Sequence, residues 1–90
     1  MKIKDGFVLE EVGGSYLAVA VGSVADSFNG MVRLNGTGAF LWNLLSEGEY
    51  TRDELVAKVV SAYDGVTEAD VLPGVVAFEE KLRRAGIIED

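Results

Sequence analysis

Three pairs of adjacent carboxylates are the residues of this chain best suited to chemistry: Glu10-Glu11, Asp53-Glu54 and Glu79-Glu80. Paired acids can act as general acid and base where a shared pocket pushes their pKa values apart. The flanking residues give each pair a plainer role. Glu10 and Glu11 sit in a run of strand formers, where neighbouring side chains point to opposite faces. Asp53 and Glu54 follow Thr51, and Thr-x-x-Glu is a capping box at a helix start. Glu79 and Glu80 stand four residues before Arg83 and Arg84, the favourable order for ion pairs along a helix. Gly36-Thr37-Gly38 has the glycines of a phosphate loop but lacks the Gly-Lys-Ser/Thr ending and the full dinucleotide pattern. It reads as close packing at a helix start.

The chain of 90 residues has no Cys and no His. Zinc sites built from thiolates and imidazoles are excluded, as is nucleophilic catalysis by Cys–His or Ser–His–Asp groups. No disulfide can hold the fold, and nothing calls for a cofactor. The cluster Lys81-Leu82-Arg83-Arg84 is the best argument for nucleic acid. It lies at the C-terminal end of its predicted helix, whereas base contacts usually come from the N-terminal half of a recognition helix. The net charge of -7 repels a phosphate backbone. No apolar run reaches the roughly 20 residues that span a bilayer, and the start of the chain lacks the apolar stretch of a secretory signal. The expected address is cytoplasmic, with neither nucleic acid nor membrane as partner.

The elements that would position these residues follow from period and punctuation. Phe7–Val12 reads as a strand, with Phe7, Leu9 and Glu11 on one face. Gly13-Gly14 permits the positive φ angles of a two-residue hairpin, and residues 15–21 form the returning strand. Residues 22–30 read as a loop, with Asn29-Gly30 as a turn signal. Met31, Val32, Arg33 and Leu34 form a short third strand. Asn35 then caps a helix over residues 36–46, in which Phe40/Leu44 and Leu41/Leu45 are i,i+4 pairs and Trp42 belongs to the core. A second helix starts after Thr51 and carries the apolar row Leu55, Val59 and Tyr63. Thr67 caps the third, whose core face is Val71, Val75, Phe78, Leu82 and Ala85. Pro73-Gly74 inside it predicts a bend or a late start. Gly86 ends it, and Ile87-Ile88 packs back. Three strands and three helices that must share one core give a single α+β domain over residues 1–90: a winged helix-turn-helix-like, three-stranded antiparallel sheet followed by three helices.

The stretch from Leu34-Asn35 through Phe40-Leu41-Trp42 to Leu44-Leu45 resembles the signature of the PqqD family. Thr51, Glu54 and Leu55, then Tyr63, then Asp70-Val71, Phe78, Leu82 and Gly86-Ile87 continue that resemblance in order. The separation of Val71 and Phe78 is longer than the family's usual pattern. The resemblance implies a non-catalytic peptide chaperone, a recognition element of peptide-modification pathways. Such a domain binds the leader of a ribosomally made precursor peptide and presents it to a maturation enzyme of the radical SAM or cyclase class. The leader pairs as an extended strand with the third strand and lies in a groove beside the third helix, which is β-strand addition.

The residues themselves leave alternatives open. Arg33 either blunts an exposed edge or meets an acidic leader residue. Leu72 and Val76, with Arg83 on the same side, either pack under the bend at Pro73 or line the leader groove. The other flank of that helix carries Ala77, Lys81 and Arg84. A winged-helix DNA-binding regulator and an orphan protein-interaction scaffold are the competing functions. An open strand edge also permits a homodimer by edge pairing or segment swapping.

Overall fold

The two-residue hairpin is present as the sequence dictates. Gly13 and Gly14 both take positive φ, 57° and 81°, the combination a type I′ turn requires. In the computed structural model, which describes residues 1–26 and 31–90, this turn joins β2 (Phe7–Val12) to β3 (Ser15–Ala20). A 3-10 helix, Gly22–Asp26, replaces the first half of the expected loop. The Asn29-Gly30 turn signal lies outside the described residues. β4 (Met31–Leu34) completes an antiparallel sheet of order β2-β3-β4.

Register sorts the side chains into two faces. Leu9, Ala18 and Val32 lie opposite one another, as do Glu11, Tyr16 and Leu34. Ala18 and Leu34 are buried on this face, against the helices. The other face carries the rows Val8, Val19, Met31 and Glu10, Leu17, Arg33, and Val8, Met31, Glu10 and Arg33 are exposed.

Helices α1 (Gly36–Glu47), α2 (Arg52–Ala62) and α3 (Glu68–Arg84) follow. Each begins at the predicted cap. Asn35 Oδ1 accepts from Gly38 N at 2.7 Å, and Thr51/Glu54 and Thr67/Asp70 form reciprocal capping boxes. α3 starts at Glu68 without delay and runs through Pro73, so the expected late start does not occur. Pro73 cannot donate to the carbonyl of Ala69, but both residues are exposed, so water can serve that carbonyl.

The core joins the two halves. Leu41, Leu55, Leu82, Ile87 and Val75 are its largest fully buried side chains, each contributing about 1.5–3 kcal/mol by leaving water. Ile87 and Ile88 pack back after Gly86, as expected. Ile88 does so within a second sheet that the sequence did not reveal. β1 (Lys2–Ile3) pairs antiparallel with β5 (Ile88–Glu89), placing Lys2 opposite Glu89 and Ile3 opposite Ile88. The Met1 ammonium donates to Tyr50 O at 2.8 Å, holding this clasp to the start of α2.

Candidate functional site

Hydrogen-bond parity identifies which backbone groups of the sheet are free. Val21 N donates to Gly6 O at 2.8 Å, just beyond the end of the β2–β3 ladder. Antiparallel pairs alternate between bonded and non-bonded, so the alternate residues Val19, Leu17 and Ser15 aim their backbone groups at β2. Tyr16 and Ala18 then aim theirs at β4, where they face Leu34 and Val32. Met31 and Arg33 are left with N–H and C=O directed away from the sheet. β4 is an edge strand, and these are its outward groups.

One of them has an internal partner. Lys81 Nζ, from α3, donates to Arg33 O at 2.9 Å. This contact fixes which flank of α3 faces the edge. Gly74, Ala77, Phe78 and Lys81 form one wall of a groove, and Leu34, Asn35, Thr37, Gly38 and Leu41 form the other. The groove holds about 160 Å³, close to the roughly 150 Å³ that accommodates a benzene ring in an apolar cavity. Gly38 keeps its floor low, because a Cβ there would lie 3.2 Å from Leu34 Cβ.

The opposite flank of α3 is committed to α2. Arg52 Nε and Nη2 each reach a carboxylate oxygen of Glu79 at 3.0 Å. Arg83 adds a contact to Glu79 at 3.4 Å and binds Asp90 at 2.9 Å. Glu79 is only 8% exposed. The Arg52 hydrogen bond lowers its pKa against the opposing effect of burial, and the Arg52 and Arg83 charges lower it further. This carboxylate is a structural anion, held charged, and is unsuited to proton transfer.

The sequence-derived site residues therefore divide. Met31, Val32, Arg33 and Leu34 form the edge, with Val32 and Leu34 turned inward and Met31 and Arg33 outward. Leu72, Val76 and Arg83 do not stand beside that edge. They share the Glu79 flank, and Leu72 meets a concavity with Asp53, Val56, Glu68 and Ala69 instead. Helical period separates the two flanks of α3 but does not say which one meets β4; the crossing of the chain decides that. The basic cluster is split for the same reason, with Lys81 on the edge side and Arg83 paired on the other.

The family described as Coenzyme PQQ synthesis protein D (PqqD) matches residues 7–88. The chain belongs to the PqqD family. The PqqD match covers the sheet, all three helices and the groove between β4 and α3. A solved structure of TbiB1 in complex with the TbiA(β) leader peptide is similar to this PqqD-family chain, with a TM-score of 0.74 and 22% sequence identity. The likeness covers 99% of this chain and 95% of that one, and it is a likeness of fold. No curated protein matches the chain. Among the described residues, no helix is long and apolar enough to cross a membrane.

Proposed function

We propose that this chain is a non-catalytic, single-domain peptide-recognition module. It binds the leader of a ribosomally made precursor peptide as an added strand on β4 and presents it to a maturation enzyme, of the radical SAM or cyclase class, in the cytoplasm. The observation that carries this reading is an open strand edge, with outward backbone groups at Met31 and Arg33, running beside an apolar groove. An added strand would lie along Met31, Val32, Arg33 and Leu34, with its backbone groups bonded to the outward groups of Met31 and Arg33. Alternate side chains would then face the groove and give sequence selectivity. Membership of the PqqD family supports the reading, and so does the leader peptide held by the similar TbiB1. The groove we assign uses Gly74, Ala77, Phe78 and Lys81 rather than Leu72, Val76 and Arg83.

An amide NMR titration with short peptides from open reading frames beside this gene tests the proposal. Shifts concentrated on Met31–Leu34 and on Gly74, Ala77 and Lys81 are expected, with micromolar or tighter affinity, about -8 kcal/mol. Arg33→Glu should weaken an acidic peptide, whereas Glu10→Arg, across the sheet, should not. Shifts confined to Leu72 and the start of α2, with both variants binding like wild type, would move the site elsewhere.

A further inference from the structure

Lys81 occupies the place that a ligand backbone needs. Adding a strand to β4 requires Arg33 O as acceptor for an incoming N–H, and in the free protein that oxygen already accepts from Lys81 Nζ at 2.9 Å. The contact joins residues 48 apart in sequence and lies at an exposed position, so the long side chain can swing away into solvent. A lysine held over an edge also guards it against pairing with other chains.

The β4 edge gathers two cations, Arg33 and Lys81, in an acidic molecule. Acids outnumber bases 15 to 8, and Lys2, Arg52 and Arg83 each have a carboxylate partner. Among the described residues, none of the ion pairs includes Lys81 or Arg33. An ammonium has three donors, and Lys81 uses one on a neutral carbonyl. When a peptide displaces it from Arg33 O, a neutral ligand returns nothing to the ammonium, while a carboxylate gives it a stronger, charge-assisted partner.

We infer that Lys81 is a latch on the β4 edge that opens to an acidic side chain of the incoming peptide. The site thereby selects leaders carrying Asp or Glu two positions from the apolar residue that fills the groove. The spacing follows from the strand period: side chains that face α3 from an added strand are alternate residues, and Lys81 borders the same groove as Leu34, Leu41 and Phe78. The inference rests on strand addition at β4.

The test is a selection of phage-displayed random dodecapeptides on wild type, Lys81→Met and Lys81→Arg. Wild type and Lys81→Arg should enrich an apolar residue with an acid two positions away; Lys81→Met should enrich the apolar residue alone. For one enriched peptide and its Asp→Asn or Glu→Gln counterpart, calorimetry should show Lys81→Met weakening the acidic form about tenfold while the amide form, no longer competing with the ammonium for Arg33 O, binds as tightly as to wild type or tighter. Enrichment of apolar anchors with no acid at that spacing, or an acid preference that survives in Lys81→Met, overturns the latch and leaves strand addition standing. Enrichment of nothing on any of the three proteins overturns both.

Discussion

Glu79 and Lys81 stand two residues apart on α3 and face opposite ways, one locked into the fold and one poised over the edge. Glu79 is held charged by Arg52 and Arg83, and its pKa is lowered, as are those of Glu54, Asp70 and Asp90. A carboxylate with a depressed folded-state pKa stabilises the fold fully above its unfolded value, and that contribution is lost as pH falls through the folded value. Stability should be level from neutral pH down to about 5 and then decline through and below the ordinary values of 4.5 and 3.8. Glu79→Gln should lower stability at neutral pH and flatten the acid side of the curve. Thermal unfolding followed by circular dichroism from pH 7 to pH 3 reads both; a wild-type curve flat to pH 3 would remove the ion-pair network as a contributor. Half of this arrangement was legible in the sequence. Arg83 lies four residues from Glu79 and was expected to pair with it, but Arg52 lies 27 residues away, and no local period reports such a partner. The place of Lys81 over the edge is hidden for the same reason: the helical period puts it on a flank of α3 with Ala77 and Arg84 but does not say which flank meets β4.

At the scale of elements, sequence reading succeeded wherever a cap or a full period was present. Asn35, Thr51 and Thr67 start their helices in the structure as expected, because a side-chain oxygen three residues before an orphan N–H is a local fact. It failed for β1 and β5, since two residues carry no period and exist as strands only through each other. Pro73 is the element that local rules oppose, and α3 absorbs it because Val71, Val75, Phe78 and Leu82 bury its core face on both sides. Pro73→Ala restores a donor to the Ala69 carbonyl while loosening the unfolded chain. We expect a net gain of about 1–2 kcal/mol, seen as a Tm raised by roughly 4–15 °C. Thr67→Ala should lower stability by about 1 kcal/mol through loss of the cap. If Pro73→Ala lowers Tm in the same denaturation series, the proline serves a packing role at the groove wall that its exposure does not suggest.

At the scale of the molecule, the sheet lends one face to the core and leaves the β4 edge beside the groove, so the same three strands stabilise the fold and offer a template for a further strand. That template was expected from the family resemblance, while the flank of α3 that walls it had to come from the way the chain crosses itself. The β1–β5 clasp has another consequence. Lys2 lies opposite Glu89, so positions 1 and 90 are neighbours in space, and the order in which the elements are strung is separable from their arrangement. A circular permutant, joined from 90 to 1 by a short Gly-Ser linker and opened between the exposed Gly13 and Gly14, should give the wild-type circular dichroism spectrum and unfold in one transition. Its losses are the ammonium contact to Tyr50 O and the tight β2–β3 turn. Such a ring makes the architecture, and not the reading direction of the gene, the unit that folds.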